Sequence, residues 1–132
     1  MHKSVWIVED DSDDRYLTQE ILSELGIHVP VKFLSSSDEV FQSLSSSEPP
    51  SLILIDYNLT PDNGLEVLKK LKSDDSFTKI PVVILSDSDH PKYKEECYRH
   101  GASSFIKKPD SLDGTQQKIG TFFKYWMEVA EV

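Results

Sequence analysis

A single cysteine, Cys97, is all that this 132-residue chain carries, so no disulfide can form within it. That excludes a disulfide-stapled secreted fold, and the chain reads as intracellular. Cys97 itself is expected to be a small buried hydrophobe. No apolar run approaches the ~20 residues that a membrane-spanning helix needs. The first apolar run breaks at Glu9, too early for a secretory leader, and the cytoplasm is the expected compartment. Basic residues are also short, with 14 Lys and Arg against 23 acids and a net charge of −9. A nucleic-acid surface needs a basic patch to neutralise phosphates, and an anionic membrane needs the same, so neither partner is expected. His2, His28, His90 and His100 are scattered without metal-ligand spacing and read as surface or loop residues. No internal repeat or appended second domain is visible. Residues 1–132 are therefore read as one domain with no output domain.

What the chain does contain is a series of short aliphatic runs separated by helical patterns. Val5–Val8 predicts a first strand, followed by a helix over 12–25 whose stripe is Leu17, Ile21 and Leu25. Asp11 or Ser12 is expected to cap its start, and Gly26 its end. Val31–Leu34 predicts a second strand. Ser36 with Glu39 three residues later predicts a capping box at the start of a second helix, which ends in the loop 45–50. Residues 52–55 predict a third strand, 58–64 a turn and 65–72 a third helix. Residues 82–85 predict a fourth strand. Pro91 fits the first turn of a fourth helix, which ends near Gly101. A short fifth strand at 104–106 and a final helix at 112–129 complete the pattern.

The third and fourth strands are continuous aliphatic runs, which marks strands covered on both faces, as in a parallel sheet. Right-handed crossovers then give an α/β fold of the flavodoxin-like kind: a doubly wound five-stranded parallel sheet, order 2-1-3-4-5, with helices on both faces. Ligands bind at the carboxyl ends of strands beside the switch point between the first and third strands. There the chain places Glu9 and Asp10 after the first run and Asp56 directly after Leu52-Ile53-Leu54-Ile55. Ser86 follows the fourth run, and Lys107, Lys108 and Pro109 follow the fifth. Any one of these residues could be a cap, a turn or a solvated surface group; the joint pattern is specific. Clustered carboxylates stay ionised together only beside a cation, and oxygen-only ligands select a hard ion, Mg²⁺. Asp56 is then free to attack a phosphoryl group and form an acyl phosphate. Lys108 would pair with a phosphoryl oxygen or with Asp56, and Ser86 would donate a hydroxyl hydrogen bond to another oxygen.

These residues resemble, from end to end, the receiver domain of two-component response regulators. The resemblance rests on Glu9-Asp10, Arg15, Asp56-Tyr57-Asn58-Leu59 with Pro61 and Gly64, Ser86, Gly101-Ala102 and Lys108-Pro109. It implies that Asp56 is the phosphoacceptor, supplied by a sensor histidine kinase or a histidine phosphotransfer protein. It implies that Glu9, Asp10, Asp56 and the main-chain carbonyl of Asn58 hold Mg²⁺. Ser86 would be the switch hydroxyl, Phe105 the switch aromatic and Lys108 the phosphoryl-binding lysine. Leu85-Ser86-Asp87-Ser88, Cys97-Tyr98 and the closing aromatics are most similar to the stand-alone receivers linked to bacterial phytochromes and hybrid kinases. Such a chain is a signalling domain rather than an enzyme, apart from catalysing its own phosphorylation and dephosphorylation. Three departures stand out: Pro61 comes one residue later than usual, Phe105 lacks the hydroxyl of the commoner tyrosine, and Asp87 occupies a place usually held by a small residue.

Two other functions compete. Asp56-Tyr57-Asn58-Leu59-Thr60 is close to the Asp-x-Asp-x-Thr motif of haloacid-dehalogenase-like phosphatases, although Asn58 replaces the second acid and a complete βαβα unit precedes the motif. A pseudo-receiver that only binds partners is the other; the full set of acids, hydroxyl and lysine speaks against it. In the last predicted helix, Ile119, Phe122, Phe123, Trp126, Val129 and Ala130 form a core-facing stripe. Tyr125 and Met127 widen the apolar surface and favour a homodimer through the late helices. The fourth helix has only Tyr93, Cys97 and Tyr98 to hold it, so it is expected to be a movable element beside Ser86 and Phe105.

Overall fold

Strands built of aliphatics bury both faces, and here they do so in the middle of a parallel sheet. The computed structural model describes residues 4–24, 26, 29–107, 117, 120, 121 and 125. Along them run β1 (Val5–Val8), α1 (Ser12–Glu24), β2 (Val31–Leu34), α2 (Ser37–Ser46) and β3 (Leu52–Asp56). There follow α3 (Gly64–Ser73), β4 (Val82–Ser86), α4 (Pro91–Arg99) and β5 (Ser104–Lys107). The strands form one sheet in the order β2-β1-β3-β4-β5, as expected, and every pairing is parallel. His2, Leu25, His28, Lys108, Pro109 and the late-helix residues Ile119, Phe122, Phe123, Trp126, Met127, Val129 and Ala130 lie outside the described residues. Among the described residues no helix is long and apolar enough to cross a membrane.

The period of two along each strand divides the core. Trp6, Val8, Ile53, Ile55, Val82 and Ile84 face one layer with Val40 and Leu44 of α2, Leu65, Val67, Leu68 and Leu71 of α3, and Cys97 of α4. Val5, Ile7, Leu52, Leu54 and Val83 face the other, with Leu22 of α1. The central strands are thus wrapped by helices on both sides, which is why their sequences do not alternate. Cys97 is fully buried, and burial pushes its thiol up to about 11, helped by the nearby Glu96 carboxylate. It packs as an inert hydrophobe, as expected.

Caps set the helix entries. Asp11 Oδ1 accepts from the backbone N–H groups of Asp13 (2.9 Å) and Asp14 (3.0 Å) and caps α1. Gly26 follows α1 with φ at +69°, the left-handed conformation that suits glycine after a helix. At α2, Ser36 Oγ accepts from Glu39 N–H at 3.2 Å, but the Glu39 carboxylate reaches Ser35 N–H at 2.7 Å. The expected capping box there is therefore half formed, because the glutamate closes onto one residue further back. A complete box stands instead at α3, where Asn63 Oδ1 accepts from Glu66 N–H (3.0 Å) and Glu66 Oε1 from Asn63 N–H (3.3 Å).

Leu68 is fully buried in the middle of α3. Replacing it, Leu68→Ala, is expected to cost about 2–5 kcal/mol by lost burial and cavity formation. A lower urea midpoint with an unchanged slope would report that loss.

Candidate functional site

The register of the sheet delivers the acids. Val8 of β1 lies beside Ile55 of β3, so the next residues, Glu9 and Asp56, leave neighbouring strands at the same level. Asp56 is paired in turn with Leu85 of β4, which brings Ser86 to the same edge. Glu9, Asp56 and Ser86 are buried at this end, and Asp10 is exposed at its rim. One carboxylate oxygen from each of Glu9, Asp10 and Asp56 lies within 4.8 Å of the others. An ion with oxygen ligands at 2.0–2.1 Å spaces opposite ligands about 4 Å apart, so the three carboxylates fit one small hard cation. The donor set is all oxygen, which disfavours softer transition metals.

Neighbouring groups fix these acids in place. Asn58 N–H donates to Asp56 Oδ1 at 3.0 Å, closing a short turn over the carboxylate. Thr60 Oγ1 donates to Asp10 Oδ2 at 3.3 Å and ties the loop after β3 to the end of β1. Arg15 Nε donates to the Glu9 carbonyl at 2.7 Å, and its Nη2 donates to Ser35 Oγ. The same guanidinium lies 5.8 Å from the centroid of Phe33. Arg15 thus clamps the ends of β1 and β2 to α1 and sets the direction in which Glu9 leaves its strand.

The loop from 57 to 63 turns back on the strand that it leaves. Gly64 N–H donates to the Tyr57 carbonyl at 2.9 Å. A Cβ on Gly64 would lie 2.7 Å from the Asp56 carbonyl oxygen and 2.8 Å from Tyr57 Cα, so only glycine allows this approach. Lys70 Nζ binds Asp62 Oδ2 at 2.7 Å across the loop and holds that carboxyl below the usual carboxylate range. Both side chains are accessible, so this ion pair contributes little to stability. Ser86 Oγ accepts from Ser88 N–H at 3.2 Å, which leaves its own hydroxyl hydrogen for another acceptor.

Of the residues expected at the site, Glu9, Asp10, Asp56, Asn58 and Ser86 are brought together at one edge. Phe105 lies in β5 and packs on the α2–α4 side of the core. Lys108 is outside the described residues; it follows Lys107, the last residue of β5, in sequence. Some contacts have no sequence signal of their own. Thr60 stands in the competing phosphatase motif, but nothing in the sequence points to its bond with Asp10. Tyr57, next to Asp56, packs its ring 5.2 Å from that of Tyr93 in α4, a residue 36 positions away (93 − 57). Burial, with Cys97, Tyr93 and Glu96 nearby, raises the Tyr57 hydroxyl above the ordinary tyrosine value and keeps it protonated. The Asn-x-x-Glu spacing at Asn63 and Glu66 was a readable signal for the α3 entry.

Five parallel strands ordered 2-1-3-4-5, with an acidic pocket at the carboxyl ends of β1 and β3, define the receiver fold. The chain belongs to the response regulator receiver domain family, whose pattern matches residues 5–119. It is 34% identical over 105 residues to the two-component response regulator ORR11 of Oryza sativa subsp. indica, covering 80% of this chain and 70% of that protein. The phosphorylated cyanobacterial phytochrome response regulator RcpA superposes with a TM-score of 0.90 at 30% identity, covering 99% of this chain and 98% of that one. The Mn²⁺-bound form of response regulator Rcp1 also superposes with a TM-score of 0.90, at 26% identity and 98% coverage of both chains. The resemblance to phytochrome-associated regulators therefore holds, and the phosphatase reading is not favoured.

The contacts at Gly64 give a direct check on the loop. Gly64→Ala should destabilise the protein by about 1–3 kcal/mol through overpacking against the Asp56–Tyr57 backbone, read as a lower thermal midpoint.

Proposed function

We propose that this chain accepts a phosphoryl group on Asp56 from a sensor histidine kinase or histidine phosphotransfer protein, with Mg²⁺, and that the product alters a protein-interaction surface. The observation that carries this reading is the meeting of the Glu9, Asp10 and Asp56 carboxylates within 4.8 Å at a buried strand edge. Glu9, Asp10, Asp56 and the main-chain carbonyl of Asn58 would hold the ion. Bound there, Mg²⁺ supplies positive charge that offsets the carboxylates and the incoming phosphoryl oxygens.

Asp56 supplies the nucleophilic oxygen. Its bond to phosphorus forms as the donor's nitrogen–phosphorus bond breaks, and the donor imidazole leaves as the neutral base once it holds a proton. The Asn58 N–H bond to Oδ1 keeps the carboxylate from rotating and directs the remaining oxygen to the donor. Ser86 would donate its hydroxyl hydrogen to one phosphoryl oxygen, and Lys108 would pair with another. The product adds charge and acceptor oxygens beside Ser86. Ser86 is drawn towards them, and Phe105 fills the space it leaves. Because Phe105 has no hydroxyl, this part of the switch works by packing alone.

The same reading places the protein in the cytoplasm, with no nucleic-acid partner, consistent with a net charge of −9. It includes a homodimer through the late helices, supported by Tyr98 of α4 and Tyr125, which are about half exposed. Neither Asn58 nor Ser88 is a strong base, so rapid self-hydrolysis is not expected.

Incubation with Mg²⁺ and a phosphodonor should add one phosphoryl mass to the intact protein. Asp56→Asn should show no such adduct, and chelation of Mg²⁺ should suppress it in the native protein. An adduct of equal yield on Asp56→Asn would overturn the assignment. Asp87 and Asp89 are exposed on the loop after Ser86, where their charge opposes small anionic donors. Asp87→Ala should therefore speed phosphorylation by acetyl phosphate, on the order of fivefold, the factor given by ~1 kcal/mol of repulsion in water. An unchanged rate would remove Asp87 from the account.

A further inference from the structure

Two separate series of contacts leave the acidic pocket, and both arrive at His90. The first follows the loop from β4 to α4. Ser88 N–H donates to Ser86 Oγ at 3.2 Å, His90 N–H to Ser88 Oγ at 3.2 Å, and Lys92 N–H to His90 Nδ1 at 3.1 Å. Each side chain from 86 to 90 at even positions thus closes onto the backbone two residues ahead. The second series is made of rings. Tyr57, covalently next to Asp56, has its centroid 5.2 Å from that of Tyr93, and Tyr93 has its centroid 5.6 Å from the His90 ring. His90 is also the N-cap of α4, directly before Pro91.

The two arms differ in how firmly their near ends are held. Tyr57 is fixed by its own backbone: its N–H donates to the Leu85 carbonyl at 2.7 Å, and its carbonyl accepts from Gly64 N–H at 2.9 Å. Ser86 ends the other arm with a hydroxyl that can turn. Between them, the first turn of α4 has little else to hold it. Residues 91–95 are all exposed, and Cys97 is the helix's sole buried side chain. With Nδ1 accepting from Lys92 N–H, the plane of the ring is set by this contact.

We propose that His90 is the positioning residue through which events at Asp56 and Ser86 reach α4, the cap acting as the movable arm and the tilted ring contacts as the fixed one. This rests on the phosphoacceptor reading above. When the Ser86 side chain rotates and carries Oγ towards a new acceptor at Asp56, Ser88 N–H loses its partner in the present geometry. The change passes through Ser88 Oγ to the His90 backbone, and so to the cap of α4. The ring contact with Tyr57 does not follow. The helix therefore pivots about its N-terminal turn instead of translating as a body.

Amide hydrogen exchange and ring signals followed by NMR test this, with Mg²⁺ and beryllium trifluoride as the phosphoryl mimic. In the native protein the mimic should change signals at residues 56–58 and 86–88 and also at residues 92–94. His90→Ala should speed exchange of the Lys92 amide about fivefold without the mimic, the size expected for a lost helix cap. With the mimic it should keep the response at 56–58 while losing the response at 92–94. His90→Asn keeps a cap acceptor but no ring; it should restore Lys92 protection and leave the Tyr93 ring signals displaced. Adduct formation on Asp56 should be unchanged by either substitution. A response at 92–94 that survives in His90→Ala would overturn the proposal. The loop arm has its own check without any mimic: Ser86→Ala should speed Lys92 exchange, and an unchanged rate would overturn the coupling. A native protein silent at 56–58 would instead overturn the phosphoacceptor reading.

Discussion

Like charges held together by backbone that cannot separate them are the constraint on which the rest of this molecule depends. Glu9 and Asp56 emerge from adjacent buried strands whose register, Val8 beside Ile55, is set by aliphatic packing on both faces of the sheet. A slip of one residue would send every strand side chain to the opposite layer. The acids therefore have no freedom to relieve their repulsion by moving apart. The Mg²⁺ of the proposed function would offset the repulsion between these acids, and the core fixes where it would do so.

The surrounding contacts serve that geometry. Arg15 holds the carbonyl of Glu9 and the hydroxyl of Ser35, joining three elements at the mouth of the pocket. Gly64 lets α3 begin against the backbone of Asp56 and Tyr57. Asn63 and Glu66 complete the entry to that helix. The loop after β3 is therefore closed tightly on one side of Asp56, while the loop after β4 rests on serine and histidine side chains. Rigidity on one side and adjustability on the other is what a site needs if chemistry at one residue is to be felt elsewhere.

Much of this was legible in the chain itself, for physical reasons. Runs such as Leu52-Ile53-Leu54-Ile55 have too many branched aliphatics in succession for a surface strand, so the parallel sheet followed, and right-handed crossovers led to its doubly wound order. Asp56 was legible because Glu9-Asp10, Ser86 and Lys108 fall at the ends of the other runs; alone it could have been a turn residue. Local signals were less exact. Ser36 and Glu39 have the spacing of a capping box, but the glutamate found Ser35 N–H instead. The turn expected over 58–64 ends at Asn63, which is the N-cap of α3. The pairing of Tyr57 with Tyr93 was not legible at all. It depends on how α4 lies across the sheet, which neither residue's neighbours in sequence determine. The phosphoryl-binding role proposed for Lys108 rests on the family resemblance and on its place in the sequence after β5.

The Tyr98 hydroxyl, on the far side of α4 from the cap, accepts the backbone N–H of Phe105 at 3.1 Å. Among the described residues β5 is an edge strand, paired with β4. An open edge of this kind is a template on which a foreign strand can add. By occupying one outward donor, α4 shields part of that edge. Any motion that draws Tyr98 away would uncover that edge, so the excursions open to α4 are bounded by the need to keep the sheet from recruiting another chain.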